Sequence, residues 1–179
     1  AVASGALDEA VLDRSLTRIW KTMMSLPCCQ QGHRQNRIDR EASRTAAYNC
    51  VREGMVLLKN CGRALPLSKE SIISIYGSKS KKLIESGGGS VGVITDQSSS
   101  LFDAIKKKLG LDRILDGVVS ADTSAILVTV GARGQEGFDR KTLDLDDDDR
   151  LVLEKTIQEA KKHRKKLIVV LNTCGPLNL

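Results

Sequence analysis

Ala125-Ile126-Leu127-Val128-Thr129-Val130, followed by Gly131-Ala132-Arg133-Gly134-Gln135-Glu136-Gly137-Phe138-Asp139-Arg140, reads as a buried strand that runs out into a glycine-flanked loop. An acid-rich stretch and a helical pattern follow. A carboxylate on the loop leaving the carboxyl end of such a strand can reach into a cleft, and open α/β sheets place their chemistry at that edge. Glu136 therefore stands as a candidate for proton transfer, provided the cleft desolvates it. The competing reading is a solvated loop carboxylate with no role, and spacing alone does not separate the two.

Outward from this stretch the pattern alternates. Ile72 to Tyr76 predicts a strand ending at Gly77, residues 78–85 a short helix, and Ser86 to Ser90 a glycine-rich loop. A short strand over Val91 to Ile94 and a helix over Leu101 to Leu109, closed by Gly110, are expected next. Residues 147–163 read as a helix whose opening aspartates suit the positive end of its dipole. Leu167 to Leu171 (Leu-Ile-Val-Val-Leu) reads as a strand buried on both faces, as in a parallel sheet. This alternation after residue 70 implies a layered α/β sandwich with a mostly parallel sheet. The N-terminal part differs. Residues 7–24 carry Leu12, Leu16, Ile19, Trp20 and Met23 at a helical period, Leu26-Pro27 ends the run, and Gln30 to Arg37 reads as a linker. A second helix places Ile38, Ala42, Ala46, Cys50 and Val51 on one face, with Gly54 near its end.

The chain has 179 residues, room for one ordinary domain with an appended helical piece. Aromatic residues make up only 3%, which argues against a stacking platform for single-stranded nucleic acid. The net charge of +6 comes partly from Lys106-Lys107-Lys108 and from the basic run 161–166. Both close helical segments, where cations oppose the dipole, so a solvated face explains them and no nucleic-acid partner is expected. Five cysteines (Cys28, Cys29, Cys50, Cys61, Cys174) follow neither a disulfide framework nor zinc spacing, which points to a reducing, cytoplasmic setting with no metal. No signal peptide and no apolar run long enough to span a membrane are visible, so no membrane partner is expected. Because residue 1 is Ala and the chain stops just past a strand, it reads as a piece of a longer protein.

Three further patterns suggest chemistry. Gly87-Gly88-Gly89-Ser90-Val91-Gly92 formally fits G-x-G-x-x-G, but a strand should directly precede it and a helix open within it. A nucleotide-binding α/β domain using that loop is the alternative this leaves open. The run Asp144 to Asp149 fails as a calcium loop, because Asp149 stands where glycine is needed and Lys155 where glutamate is needed. Helix capping explains it. The histidines, His33 in the linker and His163 among lysines, offer no positioned base.

Ala46-Ala47 through Met55-Val56-Leu57-Leu58-Lys59-Asn60, then Leu65-Pro66-Leu67, resembles the opening of the second domain of family 3 glycoside hydrolases, the β-glucosidase group. Gly131 to Arg140 resembles that family's acid/base loop, and Ile168 to Pro176 its following strand and turn. The resemblance implies a (β/α)₈ barrel bearing an aspartate nucleophile, then an α/β sandwich that supplies the acid/base. On that basis residues 1–25 are the closing helix of a barrel outside this sequence, 26–54 a linker and connecting helix, and 55–179 the sandwich, incomplete at its end. Glu136 is then the general acid/base and Ser90 a contact to the sugar. The implied substrate is a terminal β-linked glucoside or short oligosaccharide, with no cofactor, and the implied partner is the missing barrel domain. The lone chain is expected to be inactive, and a non-catalytic carbohydrate-binding or scaffold domain is a second alternative. Two features depart from the family pattern: Asp146 stands where relatives usually carry proline, and the Cys28-Cys29 region has no counterpart.

Overall fold

The computed structural model describes residues 1–30, 38–95 and 98–178, in two compact units, Ala1–Val56 and Leu57–Leu179. Most of the expected linker, including His33, lies outside the described residues.

The first unit holds α1 (Glu9–Ser25), α2 (Pro27–Gln30) and α3 (Arg40–Gly54). Asp8 caps α1 by accepting from the Ala10 N–H, and Asp39 caps α3 by accepting from the Ala42 N–H. Each cap satisfies a backbone donor that the first turn cannot. Neither helix buries a residue, and the apolar stripe of α1, including Leu16 and Trp20, is exposed.

The second unit is built on a parallel sheet of β1 (Ile73–Tyr76), β2 (Ile114–Asp116), β3 (Ala125–Val130) and β4 (Lys166–Leu171). Their spatial order is β2-β1-β3-β4. Around it lie α4 (Ser78–Lys81), α5 (Leu101–Leu109) and α6 (Asp147–His163). Side chains alternate across the pleat. Ile73, Ile75, Ala125 and Leu127 pack with Leu101, Phe102, Ile105 and Leu109 from α5. Tyr76, Ile126, Val128 and Val130 pack with Val152, Leu153 and Ala160 from α6. The sheet is thus sandwiched between helices, and the α/β expectation holds. Ser100 caps α5 by accepting from Asp103 N–H, and Asp146 caps α6 by accepting from Asp149 N–H. Among the described residues no helix is long and apolar enough to cross a membrane.

Two local expectations need correction, and one strand was not expected. Val91 to Ile94 is no strand: Gly89–Val91 forms one 3₁₀ turn, and Val91, Val93 and Ile94 are exposed. β-branched residues favour a strand only where a neighbour offers pairing and packing, and here none does. β4 is not buried on both faces; it is one of the two edge strands of the described sheet, and Val169 is 40% exposed. β2, three residues long and paired only to β1, escaped sequence reading because it is too short to show a period.

The centre of the sheet should dominate stability. Ile126 is fully buried, so Ile126→Ala should lower unfolding free energy by about 2–5 kcal/mol. Val169→Ala on the edge strand should cost less than about 1 kcal/mol. Denaturant titrations followed by circular dichroism would separate the two.

Candidate functional site

In the order β2-β1-β3-β4 the connections turn back between β1 and β3. The carboxyl end of the sheet at such a turn-back point is the usual ligand position in an open α/β sheet. The glycine-rich loop follows β1 through α4, and the loop holding Glu136 follows β3. The topology therefore brings together the two segments singled out by sequence.

Their contact is made by the backbone. Gly88 N–H donates to the Gly134 carbonyl at 2.9 Å, and Glu136 N–H donates to the Gly88 carbonyl at 3.3 Å. Ser90 N–H donates to Glu136 Oε2 at 3.1 Å. Both predicted site residues thus meet, through the Ser90 backbone rather than its hydroxyl. A Cβ on Gly88 would come within 2.8 Å of the Gln135 side chain, and one on Gly89 within 2.9 Å of Glu136 Cβ. Gly89 also has a φ of +76°, a conformation that glycine adopts at no steric cost. The glycines are explained by this close approach. No helix opens among them, as the dinucleotide fingerprint would require, only the single 3₁₀ turn.

Glu136 and Ser90 are both exposed. Beside them lies a cleft of about 390 Å³, lined by Lys82, Glu85, Val93, Arg133, Gln135 and Phe138, with neither Glu136 nor Ser90 in its wall. Phe138 is 71% exposed. Arg140 ties the far end of the acid loop down by donating from Nη2 to the Pro176 carbonyl.

The root of the acid loop is held by a residue that sequence reasoning treated only as part of a cap. Asp149, in the first turn of α6, has a side chain only 6% exposed. Its Oδ2 accepts from Gly131 N–H at 2.7 Å, and its Oδ1 meets Lys79 Nζ at 2.7 Å. Lys79 also lies 3.6 Å from Asp146. A buried carboxylate needs such partners for both oxygens, and this one links α4, α6 and the exit of β3. The available signal was its position three residues after the N-cap, where an acidic side chain often turns back toward backbone N–H groups. Gly131 is fixed from the other side as well, since a Cβ there would fall 1.7 Å from the Asn172 carbonyl oxygen. Among the described residues no group of three or more His, Cys, Asp or Glu side chains is placed to hold a metal ion.

Comparison with known proteins agrees on one family. The model described as the glycosyl hydrolase family 3 C-terminal domain matches residues 55–179. The thermostable beta-glucosidase B of Acetivibrio thermocellus is 35% identical over 112 residues, 62% of this chain and 14% of that protein. A probable exo-1,4-beta-xylosidase of Aspergillus terreus is 33% identical over 84 residues, 43% of this chain and 11% of that protein. Among solved structures, beta-glucosidase 3B from Thermotoga neapolitana superposes with a TM-score of 0.73 at 25% identity, covering 99% of this chain and 30% of that one. The matched stretch amounts to well under a fifth of the curated relatives' length.

The buried pair makes a clear forecast. Asp149→Ala leaves the Gly131 N–H without its acceptor and Lys79 with only Asp146 at 3.6 Å, and should cost about 3–5 kcal/mol. Asp147→Ala removes an ion pair with Arg150 whose side chains are 84% and 60% exposed, and should cost at most about 1 kcal/mol. Parallel denaturant titrations check both; similar losses would mean that Asp149 is not the anchor described.

Proposed function

This chain belongs to glycosyl hydrolase family 3 through that family's C-terminal domain, and on that premise we propose that it supplies the acid/base half of a retaining β-glucosidase site. In this reading Glu136 is the general acid/base and Ser90 contacts the sugar at the bond to be cleaved. The substrate is a terminal β-linked glucoside or short β-linked oligosaccharide. Residues 1–25 are the closing helix of a barrel that carries the nucleophilic aspartate, residues 26–54 connect, and residues 55–179 form the sandwich. The division of the chain after Val56 supports the last boundary.

One observation carries the reading: the Ser90 N–H held against Glu136 Oε2. A backbone N–H can only donate, so Oε2 must accept there in either protonation state. The transferable proton then belongs on Oε1. Retention requires the acid to be protonated as the leaving group departs and ionised when water attacks the glycosyl intermediate. That cycle can run on Oε1 while Oε2 stays anchored. The two carboxyl groups of such a mechanism stand about 5–5.5 Å apart, so the nucleophile must be brought close to Oε1 from the barrel. The relatives' names, beta-glucosidase and exo-1,4-beta-xylosidase, support a β-glycoside as the substrate class.

The 179-residue chain alone should not turn over an aryl β-glucoside. In a longer protein that joins this domain to a barrel, Glu136→Gln should lower kcat/KM about 10²–10⁴-fold on glucosides with poor leaving groups. Activated aryl glucosides, which need little protonation, should lose far less. Equal loss on both classes removes Glu136 from the acid role, and turnover by the lone chain that Glu136→Gln abolishes refutes the two-part site.

A further inference from the structure

We propose that Asn172 is a positioning residue that fastens the root of the glycine-rich loop to the root of the acid loop, an inference that rests on reading those loops as the site. Asn172 is the first residue past β4. Its backbone N–H donates to the Val130 carbonyl at 2.9 Å, which extends the β3–β4 ladder by one rung. Its own carbonyl oxygen occupies the space where a Cβ on Gly131 would sit. Its side chain turns to the other loop. Oδ1 accepts from Ile84 N–H at 2.5 Å, and Nδ2 donates to the Ile84 carbonyl at 3.2 Å. The orientation of the amide is fixed by its partners, since the Ile84 N–H must face oxygen and the Ile84 carbonyl must face nitrogen.

Ile84 is 7% exposed and stands three residues before Gly87, beyond the end of β1 and α4. At this depth its backbone groups require partners, and among the described residues no strand pairs with it. The Asn172 amide takes the place of that neighbour, with one donor and one acceptor held at the spacing of a peptide group. One residue therefore contacts the exit of β3, the exit of β4 and the approach to the glycine loop. A carboxylate in its place could accept from Ile84 but not donate to it. An apolar side chain of the same shape could do neither, and would strand both Ile84 groups.

The decisive experiment needs no turnover, so it can fail while the family reading stands, and the Glu136→Gln kinetics can fail while this stands. In the isotopically labelled chain, amide exchange is followed at Gly88, which bonds the acid loop, and at Ile126 and Val128 in β3. The Ser90 amide shift is followed as Glu136 is titrated. In the parent chain the Ser90 amide should respond to that titration. Asn172→Leu should speed Gly88 exchange by about tenfold or more, leave the β3 amides within about twofold, and remove the Ser90 response. Asn172→Asp, which retains only the acceptor, should give an intermediate Gly88 rate. Unchanged Gly88 exchange and an intact Ser90 response in both variants would overturn the proposal. So would β3 amides that accelerate in step with Gly88, because Asn172 would then serve general stability alone. Should the leucine variant not fold, the aspartate variant decides by the same criteria.

Discussion

Gly88 and Gly89 allow two loops of the chain to lie backbone against backbone, and the rest of the site depends on that contact. A single methyl group at either position would stand less than 3 Å from the Gln135 or Glu136 side chain. At Gly88 the Gln135 side chain would have to move aside, and at Gly89 the methyl would press on Glu136 Cβ and disturb the bond from Ser90 N–H to Glu136 Oε2. Glycine carries an entropic penalty for this freedom, and the bonds Gly88–Gly134, Glu136–Gly88 and Ser90–Glu136 offset it. The glycine run therefore shapes a carboxylate's surroundings through what it omits.

The contact falls at the turn-back point between β1 and β3 because each loop is only as precise as the strand that launches it. β3 is fully buried, with β1 on one side and β4 on the other. The acid loop thus starts from the stiffest part of the sheet. Two braces act just beyond that start, from opposite directions. Asp149 holds the Gly131 N–H from the α6 side while neutralised by Lys79, and Asn172 closes on Gly131 and Ile84 from the β4 side. Both join segments remote in sequence, so loop geometry is bound to the folding of the whole sandwich.

How much of this could be read from sequence follows from the range of the interactions. β3, α5 and α6 were legible because period, charge at helix ends and breakers are local: aspartates open α6 and Gly110 closes α5. Glu136 was singled out by its place on the loop after β3 and Ser90 by the family resemblance, and that the two meet came only from the topology. Asp149 and Asn172 were not legible as braces. Four consecutive aspartates look alike from solvent, and only the packed structure shows that one of them points inward. Asn172 pairs with Ile84 across 88 residues, a separation at which sequence periodicity carries no signal. The false strand at Val91 to Ile94 and the missed β2 share a cause. Strand formation depends on a neighbour, which composition does not reveal.

The structure orients the Glu136 carboxylate and leaves it exposed. The hydrogen bonds that orient Glu136 are internal to the second unit, whereas Glu136 itself is exposed and Phe138 beside it is 71% exposed. General acid catalysis gains most when the donor is both oriented and withdrawn from water. A surface that closes over the loops would supply the second condition and find the first already met. Little loop entropy would then be lost on closure, since the Glu136 backbone is fixed beforehand. An acid borne on a freely moving loop would have to be ordered and desolvated in the same event. Under the acid/base role proposed for Glu136, separating the two requirements would let the domain present that carboxyl group already oriented.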